Sequence, residues 1–278
     1  MTASDSYPTD ASPDVFVVVA AYNEAERIAT TLAALACAFP GARLWVADDG
    51  SSDGTAAIAE RAGAKVVSSG RVVGKGGAVT LAARAALADA RALADARALA
   101  GARALADAQS RATEADAPAG TGALAAGGSK STVLVEPVAV LCDGDLGDSA
   151  ALLGPLVDVV RGGELDLAVA AFARRVGGGL GLAVGFARWA IRRRCGLVLR
   201  APISGQRALR ARALEQVLPF AHGFGMEIGM TVDATRAGAR VGELDLDLSH
   251  RATGKTLGGF LHRGRQLVDF VRVYISRR

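Results

Sequence analysis

Asp143-Gly144-Asp145 sets two carboxylates one residue apart, directly after the apolar run Val138-Ala139-Val140-Leu141-Cys142. Like charges this close repel, and each raises the other's pKa unless a positive charge lies between them. A hard divalent cation such as Mg²⁺ or Mn²⁺ suits such oxygen ligands. The triplet therefore points to a phosphate-bearing substrate held through a metal. Acidic turns after strands are common, so its weight depends on three segments upstream. Ala21-Tyr22-Asn23-Glu24 closes one apolar run, and Asp48-Asp49-Gly50-Ser51-Ser52-Asp53-Gly54-Thr55 closes a second. Gly74-Lys75-Gly76-Gly77 follows a third. Glycines let a ligand approach the backbone closely, and Lys75 offers a positive charge to a phosphate.

These four segments act together only if the fold brings them to one edge. Val15 to Ala21 reads as a buried parallel strand, because it is continuously apolar and rich in Val. Asn23 offers an N-cap to a helix that Pro40-Gly41 stops. Leu44 to Ala47 and Lys65 to Val67 read as further strands, with a helix over Thr55 to Ala62 between them. This β-α-β-α-β alternation predicts a parallel sheet with right-handed crossovers. Ligands of such sheets bind beyond the carboxyl ends of the strands, where all four segments fall. Further on, Leu165 to Phe172 and Arg240 to Leu248 read as strands. Leu152 to Val160, Ala208 to Leu218, Met226 to Ala237 and Leu257 to Ile275 read as helices.

Ala85 to Ala108 is of low complexity, and Leu87, Leu93, Leu99 and Leu105 recur every six residues. Six is not a multiple of the helical turn, so these leucines wind around a helix and make no single stripe. Thr113 to Lys130 is rich in Ala, Gly, Ser and Thr and reads as a linker. The expected organisation is a lead over 1–14 and one domain over 15–278, with a helical insertion and linker at 85–131.

The 278 residues are 51% hydrophobic but only 5% aromatic, so the core is built from Ala, Val and Leu. A net charge of +4 is mild. Stacking aromatics interleaved with basic residues are absent, which argues against nucleic acid. Cys37, Cys142 and Cys195 are far apart and form no Cys-x-x-Cys pair, so free thiols in a reducing cytoplasm are expected in place of a zinc site. The first fourteen residues lack a basic, then apolar, signal pattern. No run approaches the roughly 18 apolar residues of a membrane span.

Taken together, the segments resemble family 2 glycosyltransferases of the GT-A fold. The resemblance implies an α/β architecture, with a single Rossmann-like, mostly parallel sheet flanked by helices. It implies transfer of a sugar from a UDP- or GDP-sugar donor, with Mg²⁺ or Mn²⁺ on the diphosphate. Carried over residue by residue, nucleotide binding falls to Ala21, Tyr22, Glu24, Asp49, Lys75 and Asp143. Metal binding falls to Asp145, with Asp143 at the ribose or the metal. Ile203-Ser204-Gly205-Gln206-Arg207-Ala208-Leu209 resembles a segment of polyprenyl-phosphate sugar transferases, which puts Ser204 and Gln206 on the acceptor side. Leu218 to Gly229 is similar to glucosyl-3-phosphoglycerate synthases. That similarity implies Glu227 beside sugar and acceptor, where it is a catalytic candidate with Asp145, and His250 as a further metal ligand. It departs from them at Gly177-Gly178-Gly179-Leu180-Gly181-Leu182, which lacks the Arg and Thr that grip phosphoglycerate in that group.

The expected acceptor is a small phosphorylated compound or a lipid phosphate. Arg188, Arg192, Arg193 and Arg194 beside Trp189 and Ile191 suit a solvated face, peripheral membrane contact or an anionic acceptor. A cytoplasmic protein, membrane-associated or not, and a homodimer are compatible with the sequence. Two rival readings are a sugar-phosphate nucleotidyltransferase and a non-catalytic nucleotide-sugar-binding scaffold. The first would need an arginine-rich glycine loop after the first strand, which Ala20-Ala21-Tyr22-Asn23-Glu24 is not. The presence of both aspartates weighs against the second. Thr253-Gly254-Lys255-Thr256 is not a P-loop, because Ser249 stands where the first glycine belongs.

Overall fold

The computed structural model describes residues 14–115, 136–172, 182–248 and 268–277. Among the described residues seven strands form one sheet: β1 (Val15–Ala21), β2 (Arg43–Asp48), β3 (Lys65–Ser68), β4 (Val138–Asp143), β5 (Leu167–Phe172), β6 (Arg207–Arg210) and β7 (Val241–Leu246). Their spatial order is β3-β2-β1-β4-β6-β5-β7. Only β6 runs antiparallel to its neighbours, β4 and β5. The sheet is therefore mixed α/β and mostly parallel, as expected.

The central strands are apolar throughout because both of their faces are covered. Val15, Val17 and Val19 of β1 join Val138, Val140 and Cys142 of β4 in one core layer. Helices α1 (Ile28–Ala38), α2 (Thr55–Arg61) and α4 (Gly154–Arg161) cover that side, with a 3-10 segment, Gly147–Leu153, beside them. Phe16 and Val18 point the other way, with Ala139 and Leu141. Helices α3 (Lys75–Ala115), α6 (Ala211–Val217) and α7 (Met226–Arg236) pack there. The period of two along each strand thus divides one apolar run between two layers. A third, smaller core joins α5 (Leu182–Cys195), α7 and the helix over 268–276 through Ile191, Ile228, Phe270 and Val273.

Three expectations change. Asn23 is not an N-cap: it has φ 56, and α1 begins at Ile28 after Arg27. The segment read as a helix over Ala208 to Leu218 opens as β6 and becomes helical only at Ala211. The alanine-rich repeat is no separate element but the continuation of α3 from Lys75. That helix leaves the core soon after Leu87: Leu87 is 6% exposed, against 54% at Leu99 and 61% at Leu105. Most of the linker and much of the last expected helix lie outside the described residues.

Asp166, just before β5, ties three strands together. Its carboxylate accepts from the Arg240 backbone N–H and Nε, each at 2.9 Å, and from Arg212 Nη2 at 3.2 Å. Hydrogen bonding from Arg240 holds this carboxyl well below the usual carboxylate range, against the opposing effect of burial. A depressed folded-state pKa contributes stability that is present above the unfolded value, about 4, and is lost as pH falls through the folded one. Chemical denaturation midpoints are therefore expected to fall below about pH 4. In Asp166→Asn that acid-dependent portion should be missing, with the loss already present at neutral pH. An unchanged pH profile in the variant would refute this account.

Candidate active site

The four chemical segments meet at the C-terminal edge of β1, β2 and β4. Parallel register sets Ala20 beside Asp143 and Ala21 beside Asp48. The turn after β1 is fastened to the turn after β2. Asn23 N–H donates to Ser51 Oγ at 2.9 Å, and Asn23 Oδ1 accepts from Ser52 N–H at 2.9 Å. Glu24 N–H donates to Thr55 Oγ1 at 2.9 Å, and Ala25 N–H to Asp53 Oδ2 at 3.0 Å. The left-handed backbone at Asn23, tolerated by Asn better than by most residues, lets its side chain and amide both reach across. Tyr22 is left half exposed over this platform.

Asp49 organises the next loop. Its Oδ1 accepts the N–H groups of Val73 and Gly74 at 2.7 and 3.0 Å, which positions the start of α3. Lys75, the first residue of that helix, then faces two acids. Its Nζ lies 2.6 Å from Asp143 Oδ1 and 2.8 Å from Glu227 Oε1. Burial opposes the charge on Lys75, but Asp143 and Glu227 outweigh it and hold the ammonium above its usual pKa. Gln206 Nε2 donates to the other oxygen of Asp143 at 2.8 Å, and Ser204 Oγ donates to Gln206 Oε1 at 3.0 Å. A chain of contacts therefore runs Ser204–Gln206–Asp143–Lys75–Glu227. Gly205 crosses directly over it: a Cβ there would stand 2.6 Å from Asp143 Oδ2 and 2.7 Å from Lys75 Nζ. Only glycine fits without displacing that pair.

Arg207 supports this turn from below and was not singled out in the sequence. It is fully buried. Its guanidinium donates to Ser204 O at 2.9 Å, Pro202 O at 3.1 Å and Thr231 Oγ1 at 2.9 Å. Burial pulls its pKa down to about 10, while Glu227 and Glu243 favour the charged form. It stays cationic at neutral pH. The only signal in the sequence is its place directly after Ser204-Gly205-Gln206. Arg27 and Thr31 also escaped notice. Arg27 Nη1 donates to the Asp145 carbonyl at 3.1 Å, and Thr31 Oγ1 to the Gly144 carbonyl at 2.8 Å. They fix the acidic triplet onto α1.

Lys75, Asp143, Ser204, Gln206 and Glu227 thus come together, while Ala21, Tyr22, Glu24 and Asp49 line the adjoining strand ends. His250 lies outside the described residues. Among the described residues no group of three or more His, Cys, Asp and Glu is placed to hold a metal. Mg²⁺ seldom needs such a cage: one or two carboxylates with substrate phosphates and water suffice. The donors here fit that pattern unequally. Both oxygens of Asp143 accept from Lys75 and Gln206, so a cation at Asp143 would compete with those two contacts.

At this edge the loops after β1, β2 and β3 converge on the acidic triplet that follows β4. Residues 16–98 match the family model described as glycosyl transferase family 2. The chain is similar in fold to crystal structures of glucosyl-3-phosphoglycerate synthase from Mycobacterium tuberculosis. In complex with Mn²⁺, UDP and glucosyl-3-phosphoglycerate, that enzyme aligns with TM-score 0.62 and 24% identity, over 95% of this chain and 79% of the other. With Mn²⁺, UDP and phosphoglyceric acid the TM-score is 0.63 at 24% identity, over 95% and 78%. With Mn²⁺, UDP-glucose and phosphoglyceric acid it is 0.60 at 23%, over 94% and 79%. At this identity the likeness establishes the fold. No curated protein matches the chain.

Proposed function

We propose that the chain transfers glucose, or a closely related hexose, from a UDP-sugar to a small phosphorylated acceptor, with Mg²⁺ or Mn²⁺ on the donor diphosphate. The observation that carries this reading is Lys75 bridging Asp143 from the nucleotide half and Glu227 from the second half. One ammonium joins the two halves into a single site. The donor and metal are supported by the M. tuberculosis synthase, whose structures hold UDP-glucose and Mn²⁺. A phosphorylated acceptor is supported by the phosphoglyceric acid and glycerol 3-phosphate in the same enzyme. Phosphoglycerate itself is disfavoured, because the stretch from Gly177 to Leu182 carries neither Arg nor Thr.

Ala21, Tyr22, Glu24 and Asp49 receive the nucleotide at the strand ends. Asp145, with Asp143 and His250 as further candidates, would hold the cation, which when bound neutralises charge on the leaving diphosphate. Lys75 adds a fixed positive charge at the same place, of the preorganised kind that stabilises a developing anion. Asp143 and Glu227 keep it there, and the Oε1 of Glu227 is committed to that ion pair. Ser204 and Gln206 border the acceptor side and brace Asp143.

The test is ligand-induced stabilisation, which grows with ligand concentration over Kd. UDP-glucose with Mn²⁺ is expected to raise the melting temperature well above either component alone. Asp145→Ala is expected to abolish the part that requires metal while keeping a smaller, metal-independent UDP response. If no UDP-sugar stabilises the protein with or without metal, the reading is wrong.

A further inference from the structure

From Leu167 to Leu214 the sequence holds ten arginines and no Asp or Glu. Several of these arginines are spent within the fold: Arg207 is buried, Arg200 pairs with Glu243 and Asp245, and Arg210 and Arg212 pair with Glu136 and Asp166. On α5, Arg188 donates to the Arg200 carbonyl and Arg194 to the Tyr274 carbonyl, while the helix still turns a basic face outward. Ala187, Ala190 and Ile191 are buried, whereas Arg188, Trp189, Arg192 and Arg193 are exposed. Spacings of three and four place these four on one outer face of the helix. Trp189 is 50% exposed, with its ring 4.8 Å from that of Tyr274 in the neighbouring helix. That helix, over 268–276, buries Phe270 and Val273 and turns Val271 and Ile275 outward, at 37% and 50% exposure. Asp269 of the same helix is only partly exposed, lies 3.8 Å from Arg272 and packs toward Gly223.

We infer that this paired-helix face docks on an anionic lipid bilayer surface. Its composition is that of an interfacial element, with arginines for headgroup phosphates and Trp, Val and Ile for the region just beneath. Complementarity of charge selects the occupant. A second copy of the chain would set arginine against arginine, with no exposed acid among the described residues of either helix to offset the repulsion. A nucleic acid would bury the exposed aliphatic side chains against phosphate. A bilayer satisfies both kinds of group at their own depths. The face rests through Ile191 and Phe270 on Ile228 of α7, next to Glu227. Docking therefore brings the acceptor side of the site toward the membrane, although the inference does not depend on the proposed chemistry.

The experiment is co-sedimentation of the full chain with vesicles of phosphatidylcholine, with and without phosphatidylglycerol. Tryptophan emission is followed in parallel. Trp45 lies in the core at 8% exposure, so a blue shift on binding reports Trp189. Binding only to the anionic vesicles, weakened by salt and accompanied by that shift, is the expected result. Arg192→Gln with Arg193→Gln should lower partitioning by about fivefold per arginine, roughly 25-fold together. Val271→Ser with Ile275→Ser should weaken it separately, and both variants should keep the wild-type melting temperature. Trp189→Phe should remove the shift but retain most of the binding. Absence of a preference for anionic vesicles overturns the inference. So does tighter binding to a nucleic acid than to vesicles, or a dimer that the same substitutions dissociate.

Discussion

Lys75→Met is expected to lower the rate of the proposed sugar transfer by about 10²–10³, the typical loss when a preorganised electrostatic group is removed. It should also destabilise the fold. Glu227 is 5% exposed on its side chain and would be left as a nearly buried carboxylate without its ammonium. Removing one partner of a buried pair costs about 3–5 kcal/mol. Lys75 itself keeps 21% exposure, so the lower end, about 3 kcal/mol, is the better figure. The raised folded-state pKa of Lys75 means that this contribution is fully present below the unfolded lysine value, near 10.4, and is lost only as pH rises beyond it. The penalty should therefore be constant across neutral pH.

Adding Glu227→Gln to Lys75→Met removes the orphaned charge, so the double variant should recover much of the stability and none of the activity. A second signature runs the opposite way. Without Lys75, Asp143 loses its nearest cation, and the triplet returns to the charge conflict apparent in the bare sequence. Binding of Mn²⁺ without donor, measured calorimetrically, should then tighten even as turnover falls. If the variant binds metal no better and turns over normally, Lys75 is not the pivot of the site.

That conflict shows what a sequence displays and what it conceals. Asp143 and Asp145 are two positions apart, so their repulsion is visible at once. The ammonium that relieves Asp143 comes from 68 positions away, and Lys75's other partner, Glu227, is brought in by a different part of the fold. Spacing could suggest that Lys75 faces a phosphate; only the fold, which brings the end of β4 and the start of α7 to the start of α3, reveals two carboxylates holding it. The strands β1, β2 and β4 were legible because burial on both faces demands unbroken apolar runs. Strand β6 was not, since four residues bounded by arginines, Arg207 to Arg210, carry no such run and lead straight into helix-forming residues. Asn23 misled for a related reason. Its side chain suits an N-cap and equally suits a left-handed turn, and the Ser51 and Ser52 groups that favoured the turn are long-range partners. Gly205 looked like one glycine among many until Asp143 and Lys75 were found where its side chain would be.

Arg207 is the case in which charge and geometry can be separated, and its substitution is expected to have the largest effect on stability. Three neutral acceptors hold the guanidinium: the carbonyls of Pro202 and Ser204 and the hydroxyl of Thr231, which itself donates to the Glu227 carbonyl. Arg207→Met relieves a buried charge but orphans three buried acceptors, at about 1–3 kcal/mol each. A net loss of at least ~3 kcal/mol is expected, a large part of the 5–15 kcal/mol that natural domains possess. Arg207→Lys keeps the charge and loses the planar fork, and one ammonium cannot match the directions of all three acceptors. If charge alone mattered, Lys would restore the protein. The geometry requires the opposite. Lys should remain destabilised in urea titration, and turnover should fall with it, because the turn from Pro202 to Gln206 carries the amide that braces Asp143. Wild-type stability and rate in Arg207→Lys would show that the fork is dispensable, and that the turn holds Gln206 in place without it.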